Sequence, residues 1–230
     1  MKIAIMGAMP EEIAPILKKI ENYTTTEYAK NTYYEATYKG IELVIAYSKI
    51  GKVFSTLTAS TMIQHFGAQK LLFSGVAGAV SPSLKVGDLV VATKLSQHDL
   101  DITAFGHPYG YVPEGSVFVE ADRTMIELSK SVASEMGKTI QEGIIATGDQ
   151  FVANEERKNW IGTTFNADAL EMEGASVAVV CDALDIPFFI LRAISDAADM
   201  DASFSFDEFL ETSAIESAEF VMKMVDKIIE

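Results

Sequence analysis

Short apolar runs alternate with segments of helical periodicity along most of the chain. The runs predict strands at 3–6, 70–73, 88–95, 140–146, 168–171 and 187–194. The periodic segments predict helices from Pro10 and near 52–66, 121–136, 154–162, 173–184 and 206–229. Strands that alternate with helices form a mostly parallel sheet covered on both faces. We therefore predict an α/β fold: a three-layer α/β/α sandwich around a mixed, largely parallel twisted sheet, with residues 1–230 in one domain.

Three segments depart from this alternation. Residues 24–47 alternate in polarity and are interrupted at Lys30-Asn31 and Lys39-Gly40, which predicts an antiparallel meander. The stretch "SGVAG" at 74–78 predicts a glycine-containing turn after the strand at 70–73. Residues 97–117 are too long for a plain connection, so we expect a lid or an interface loop there.

A charged residue interrupts the last predicted strand. In "FFILRAISDAADM", Arg192 follows four apolar residues, and two more apolar residues come after it. An unpaired buried guanidinium would be strongly destabilising, so Glu12 and Glu173 are expected to surround it, in a binding site or in a structural ion pair. Of the neighbouring carboxylates Glu171 and Glu173, only Glu173 is expected to face the site, with Glu171 turned away. Alternatively, both carboxylates complement the dipole of the following helix.

The ends of the predicted strands carry the other candidate groups. In parallel sheets these ends meet at one edge, where ligands bind. Glu12 follows the first strand and Asp196 ends the last, although Asp196 is equally consistent with capping a turn. The glycines of 74–78 lack the spacing of a P-loop or dinucleotide motif and are better explained by close approach of the backbone to a ligand. Phe151 is either a core residue or an aromatic platform for a planar ligand.

Composition narrows the class of ligand and partner. Hydrophobic residues make up 49% of the 230 residues and charged residues 22%, which is typical of a folded chain. The net charge of −15 disfavours nucleic acid and anionic membranes, and it favours a neutral or cationic ligand. The stretch 98–101, "HDLD", has side chains that can bind metal but no second histidine cluster, so a solvated or structural loop is favoured over a metal site.

The single cysteine and the absence of a long apolar run indicate a cellular location. Cys181 lies in an apolar helical context and is predicted to be a core residue in a reducing compartment. The first residues, "MKIAIMG", are too few for a signal peptide, and no run reaches the ~18 apolar residues of a membrane span. We therefore expect a cytoplasmic protein with no membrane partner.

Eight motifs occur in the order and at the spacing of a known family. They are "IMGAMPEEI", "YSKIGKV", "FSGVAGAV", "VGDLVVATKLSQHDLDITAFGHPYG", "ATGDQFV", "EMEGASVA", "LRAISDAAD" and "SFDEFL". Over essentially its whole length the chain resembles the 5′-methylthioadenosine/S-adenosylhomocysteine nucleosidases of the purine nucleoside phosphorylase superfamily. The residues of several motifs are most similar to those of members that also accept 6-amino-6-deoxyfutalosine, a menaquinone precursor.

This resemblance implies a nucleoside phosphorylase-like fold and hydrolysis of an adenine N-ribosidic bond without a cofactor or metal. The implied substrates are 5′-methylthioadenosine, S-adenosylhomocysteine, 5′-deoxyadenosine and 6-amino-6-deoxyfutalosine, which belong to methionine salvage and menaquinone biosynthesis. The sequence does not rank them. Breaking such a bond leaves a cationic sugar, and carboxylates stabilise that transition state more than the neutral substrate.

The resemblance also assigns roles to individual residues. Asp196 matches the general acid that protonates N7 of adenine, which requires a raised pKa. Glu12 matches the base that activates water, Arg192 helps to hold that water, and Glu173 binds the ribose hydroxyls. The other implied substrate-binding residues are Met9, Ala77, Gly78, Phe151, Val152, Met172, Ser195 and Phe206. A homodimer is implied, in which the neighbouring subunit completes the pocket for the 5′ substituent with Phe105, His107 and Pro113.

The chain departs from the family at two positions, and two other functions are also compatible with the sequence. Val76 stands where several relatives have serine beside the water, and Pro10 stands where some have an acidic residue. One alternative is a phosphorylase, which would need a basic cluster for phosphate where only Arg192 is evident. The other is a nucleoside-binding protein without activity, which would be expected to have lost Asp196 or Glu12.

Overall fold

The computed structural model describes residues 1–198 and 202–230, without the side chains of Phe204, Ser205 and Asp207. Its strands are β1 (Lys2–Gly7), β2 (Thr24–Tyr28), β3 (Asn31–Tyr38), β4 (Ile41–Tyr47), β5 (Lys70–Ala79), β6 (Leu89–Gln97), β7 (Val119–Glu120), β8 (Ile140–Thr147), β9 (Ala169–Glu171) and β10 (Phe188–Asp196). Its helices are α1 (Pro10–Ile20), α2 (Lys52–Gln64), α3 (Arg123–Glu135), α4 (Glu155–Phe165), α5 (Gly174–Ala183) and α6 (Ala202–Ile229). Every predicted strand and helix is present.

The ten described strands form one mixed sheet in the order β10-β6-β8-β9-β5-β1-β4-β3-β2, with β7 paired to β6. β1, β4, β5 and β10 run parallel to one another, whereas β6 and β9 run antiparallel to β10 and β5, respectively. β10 also pairs with β5, so five strands close into a ring at one end of the sheet. The α/β class is confirmed, and the ring is a feature that the hydrophobic pattern did not reveal.

The predicted turn at 74–78 is wrong, because β5 continues through these residues to Ala79. Residues 71–78 pair in parallel with β10, and Gly78 and Ala79 pair with β9. This pairing supplies hydrogen-bond partners that glycine-rich sequence rarely finds by itself, so tertiary context overrides the turn preference. The absence of side chains at Gly75 and Gly78 allows Glu12 and Asp196 to approach the strand closely.

Helices cover both faces of the sheet, as the pattern predicted. One buried cluster packs α2 and α5 against β1, β4 and β5, and it includes Met62 and Cys181. The cluster on the opposite face packs α1, α3 and α6 through residues such as Ile16, Ile126 and Phe220. Cys181 is unpaired and buried, and burial raises the pKa of its thiol to about 12. None of the described helices is both long and apolar enough to cross a membrane.

The two remaining irregular segments are the meander, which matches its prediction, and the long connection, whose predicted role as a lid or interface loop stays a prediction. β2, β3 and β4 form the antiparallel meander expected over residues 24–47. The long connection after β6 contains a single turn of 3₁₀ helix, Thr103–Phe105, before it reaches β7. This connection is largely exposed at residues 103–108 and begins next to the loop that follows β8.

Candidate active site

A pocket lies beside the strand ring, where the ends of β5, β9 and β10 meet the start of α1. It is lined by every site residue predicted for this chain except Arg192, which lies beneath it. The residues expected to meet by parallel convergence thus do come together, but partly for another reason. β9 runs antiparallel to β5, so Glu171 and Glu173 reach the pocket through closure of the ring.

Glu12 is held by backbone amides at the start of α1. Its Oε2 accepts hydrogen bonds from the amides of Ala8 (2.5 Å) and Met9 (3.0 Å), and its Oε1 accepts one from Val76 (3.2 Å). Pro10 occupies the first helical position, where the missing N–H costs no hydrogen bond. Burial raises the pKa of the Glu12 carboxyl above its usual value, although Arg192 and these three amides act in the opposite direction.

Arg192 forms its ion pair with Glu171, so the prediction that Glu12 and Glu173 would be its partners is wrong. Nη2 of Arg192 lies 2.6 Å from Oε2 of Glu171, and Nε lies 3.3 Å from the same oxygen. The guanidinium also lies 4.0 Å from the centre of the Phe73 ring. Both charged side chains are almost fully buried, and their mutual attraction with hydrogen bonds offsets the loss of hydration.

Glu171 was expected to point away from the site, and this expectation is also wrong. Residues two apart on a strand share a face, so alternation gave no reason to separate Glu171 from Glu173. In addition, β9 ends at Glu171, and Glu173 is the residue that caps α5. Oε2 of Glu171 accepts hydrogen bonds from the amides of Glu173 (3.2 Å) and Gly174 (2.7 Å) at the start of α5. The alternative interpretation, a carboxylate at a helix N-terminus, therefore describes Glu171 correctly.

Glu173, the residue before α5, also lines the pocket. Its Oε1 accepts a hydrogen bond of 2.7 Å from the amide of Gly51, the residue before α2. Burial and the negative charge of Glu171 raise the pKa of Glu173 to about 8, whereas the Gly51 amide and Arg192 act to lower it. Gly51 was not predicted as a site residue, and the only signal for it was its glycine in "KIGK".

Asp196, the last residue of β10, lines the pocket as well. The Ser195 hydroxyl donates to its Oδ2 at 2.8 Å, and the amide of Ala198 donates to its Oδ1 at 2.8 Å. Asp196 thus accepts a hydrogen bond from the turn that follows β10, and it also lines the pocket. A side chain at Gly78 would place its Cβ 2.8 Å from Oδ1 of Asp196, so only glycine leaves room for this carboxylate.

The rest of the pocket is apolar and partly aromatic. The rings of Phe151 and Phe206 meet edge to face, with their centres 5.7 Å apart, and Met9, Met172 and Ile50 also line the cavity. Phe151 is 49% exposed, so it is not the core residue that one interpretation allowed. The apolar walls suit a flat, uncharged ring, and the carboxylates suit a polar or cationic group.

The three residues predicted to serve a neighbouring subunit do not contact the pocket of their own chain. Phe105, His107 and Pro113 all lie on the exposed surface of the long connection after β6. Phe105 is 81% exposed, and the His107 ring stacks on Tyr111. Among the described residues, no group of three or more His, Cys, Asp or Glu side chains is arranged to hold a metal ion.

The fold and the site define an α/β enzyme that binds a small molecule between apolar walls and several carboxylates. The chain belongs to the phosphorylase superfamily, whose family model matches residues 2–230. It is 60% identical over 228 residues to the aminodeoxyfutalosine nucleosidase of Campylobacter jejuni, with 99% of this chain and all of that protein covered. It is 38% identical to the 5′-methylthioadenosine/S-adenosylhomocysteine nucleosidase of Anoxybacillus flavithermus, with 99% of each chain covered.

A solved structure is similar over nearly the whole chain. It is the Helicobacter pylori 5′-methylthioadenosine/S-adenosylhomocysteine nucleosidase, with a TM-score of 0.97, 50% identity and 98% of each chain covered. That protein was crystallised with an aminopyrrolopyrimidine joined through a methylene group to a pyrrolidinol that carries a propynylthiomethyl group. The predicted family is thus confirmed.

Proposed function

We propose that this protein hydrolyses the N-ribosidic bond of 5′-substituted adenine nucleosides, releasing adenine and the 5-substituted ribose. The substrates are 6-amino-6-deoxyfutalosine, 5′-methylthioadenosine, S-adenosylhomocysteine and 5′-deoxyadenosine. The observation that carries the proposal is the meeting of Glu12, Glu173 and Asp196, from three distant segments, in one pocket with apolar walls. The nucleosidases to which the chain is 60% and 38% identical support the same reaction.

Each carboxylate has a separate task in this reaction. Glu12 takes a proton from the attacking water, whose oxygen forms a bond to the anomeric carbon of the ribose. The bond from that carbon to N9 of adenine breaks, and Asp196 gives its proton to N7, so that neutral adenine leaves. A well-placed general acid or base contributes about 10² to 10⁴ in rate.

The surroundings of these groups suit such a division of labour. Three amides orient the Glu12 carboxylate towards the pocket, and the Ser195 hydroxyl orients Asp196. Glu173 binds the ribose hydroxyls, and the Glu12 carboxylate stabilises the positive charge that develops on the sugar. Because the Val76 amide contacts Glu12, the backbone offers a polar group at the position where several relatives have serine.

The apolar walls account for the two ends of the substrate. Phe151 and the backbone of Val152 hold adenine, Met172 packs against the sugar, and Phe206 contacts the 5′ substituent. The ligand of the H. pylori protein has the same three parts: a flat aminated ring, a five-membered ring and a thioether. Its pyrrolidine ring contains an amine, which is cationic when protonated and so resembles the charged sugar.

Water is a better nucleophile than phosphate for this pocket. None of the described residues that line it is Lys or Arg, and the nearby Arg192 is already paired with Glu171. A phosphate dianion would therefore face carboxylates without a free positive charge. We expect adenine release in phosphate-free buffer, and a strict requirement for phosphate with formation of ribose 1-phosphate would contradict the proposal.

The decisive experiment is ultraviolet detection of adenine released from each nucleoside. Asp196→Asn should lower kcat by about 10² to 10⁴, because an amide cannot supply the proton. Asp182→Asn is the matched control, since Asp182 lies on the exposed surface of α5 and should leave activity unchanged. Release that persists in Asp196→Asn would remove this residue from its role, and a wild-type protein that binds nucleosides without releasing adenine would be a binding protein.

A homodimer is part of this proposal, because a patch of apolar side chains is exposed on α2 beside the pocket. Val53 is 76% exposed, and Phe54 and Leu57 lie on the same helix. A second copy would cover this patch and bring Phe105, with His107 and Pro113, to the neighbouring pocket. Val53→Asp should give a folded monomer, measured by light scattering, with reduced adenine release. A fully active wild-type monomer would contradict the dimer.

We also propose that the chain forms one domain and that the protein is cytoplasmic.

A further inference from the structure

Two loops that border the pocket, one before α2 and one after β8, meet at the partly buried carboxylate of Asp99. Asp99 follows β6 and begins the long connection, in a stretch that the catalytic scheme leaves without a role. Its Oδ1 lies 2.6 Å from Nζ of Lys52, the first residue of α2, and its Oδ2 accepts a hydrogen bond of 2.8 Å from the amide of Asp149 in the loop after β8. The side chains of Lys52 and Asp99 are only 18% and 16% exposed.

The same residues form a second link between the two loops. Oδ1 of Asp149 accepts a hydrogen bond of 2.8 Å from the amide of Lys52, so Asp149 caps α2 in place of Gly51, which has no side chain. Gly51 has φ of +98°, and a Cβ there would lie 3.0 Å from Oδ1 of Asp149. The start of α2 and the loop after β8 are therefore held in one arrangement by Asp99, Lys52 and Asp149.

Both loops lead to residues that are proposed to bind the substrate. The amide of Gly51 donates to Oε1 of Glu173 at 2.7 Å, on the ribose side of the pocket. Two residues after Asp149, Phe151 and Val152 form the adenine side. Glu12 and Asp196 are held by other segments, α1 with β5 and β10 with the turn after it.

We infer that Asp99 is a positioning residue that sets the ribose contact at Glu173 and the adenine contact at Phe151 relative to each other, an inference that rests on the proposed function. Although burial alone would raise the pKa of Asp99, the hydrogen bonds from Lys52 and the Asp149 amide hold it below its usual value. The group is thus ionised at neutral pH and able to bind both partners at once. Asp99 touches no substrate atom and takes no part in proton transfer.

The test compares Asp99→Asn with Asp101→Asn, the same substitution two residues further on, at an exposed carboxylate that accepts hydrogen bonds from Thr103. Asparagine preserves the shape of Asp99 but loses the ion pair with Lys52. We expect KM for the nucleoside, and the dissociation constant of adenine by calorimetry, to rise about tenfold, the equivalent of one lost charged contact. We expect a smaller change in kcat, because Glu12 and Asp196 are held elsewhere. Asp101→Asn should match the wild type in all three quantities.

A purely structural role would lower the unfolding temperature of Asp99→Asn but leave KM and adenine affinity of the folded protein unchanged, and this result would overturn the inference. So would a fall in kcat at constant KM. If Asp99→Asn does not fold, Lys52→Met decides the question, since it removes the same ion pair and keeps the apolar stem, and it should raise KM in the same way. A wild-type protein that releases no adenine refutes the proposed function itself, whereas an active wild type with an unchanged variant refutes only this inference.

Discussion

Gly75 lies in β5 at a point where a side chain would meet the carboxylate proposed to activate water. A Cβ at this position would lie 2.8 Å from Oε1 of Glu12 and 3.2 Å from Nη1 of Arg192. Ordinary contacts of this kind begin at 3.4 Å, so the Glu12 oxygen would have to retreat by 3.4 − 2.8, or about 0.6 Å. Because the nearest atoms are the ends of side chains and not backbone, Gly75→Ala should fold with Glu12 displaced.

The displacement should affect catalysis more than stability. Moving Glu12 weakens its hydrogen bonds to the three amides and changes its distance to the water, and a misplacement of about 1 Å costs about 10²-fold in rate. We therefore expect kcat/KM for adenine release to fall by about ten- to a hundredfold. Overpacking in the sheet should lower the free energy of unfolding by about 1–3 kcal/mol.

Gly143→Ala is the matched control for this substitution. Gly143 lies in β8 of the same sheet, and a Cβ there would be 3.0 Å from Cγ1 of Val90 and 3.1 Å from Cβ of Asp168, away from the pocket. It should reduce stability in urea denaturation with little effect on kcat/KM. If Gly75→Ala were as active as Gly143→Ala, the position of the Glu12 carboxylate would not matter for the reaction, and its role as the base would be refuted.

Two further predictions concern the buried charges. Glu171→Gln leaves Arg192 buried without its counter-charge and should lower the free energy of unfolding by about 3–5 kcal/mol in urea denaturation. The control, Glu127→Gln, removes an exposed ion pair and should lower it by less than about 1 kcal/mol. Equal effects would contradict the pairing of Arg192 with Glu171. The pKa of Glu173 is about 8 in the folded protein and ordinarily 4.5, so the stability from its proton is present below about pH 4.5 and is lost as the pH rises to about 8. The free energy of unfolding, measured across this pH range, should decline in the wild type and decline less in Glu173→Gln. Identical dependence on pH in the two proteins would show that another group titrates there.

The main layers of the fold were predictable because hydrophobic period reports local geometry. Every predicted helix and strand is present, and the meander was identified from alternation and two turn signals. The error at residues 74–78 has a specific cause: "SGVAG" favours a turn by local preference, whereas pairing of β5 with both β10 and β9 makes it a strand. Such pairing depends on residues 90 or more positions away and leaves no periodic signal.

Within the site, the proposed catalytic pair was easier to identify than the residues that support it. Glu12 and Asp196 lie at the ends of recognisable strands, so their position followed from the pattern together with the family resemblance. The partner of Arg192 was assigned wrongly, because Glu171 was expected to point away from the site, whereas it pairs with Arg192 at the start of α5. Gly51 and Asp99 act through a backbone amide and a partly buried ion pair, and neither kind of contact has a local sequence signature.

The amino-acid sequence by itself determined the α/β class, the acidic and apolar character of the site, and the carboxylates available to it. Local propensity and the period of apolar side chains depend on residues that are neighbours in the sequence, so the sequence is enough to predict them. Only the tertiary structure decided that β10 closes on β5, that Arg192 pairs with Glu171, and that Glu173 is anchored by the Gly51 amide. Such choices depend on which distant groups share a buried volume where each charge must find a partner, and only packing brings those groups together.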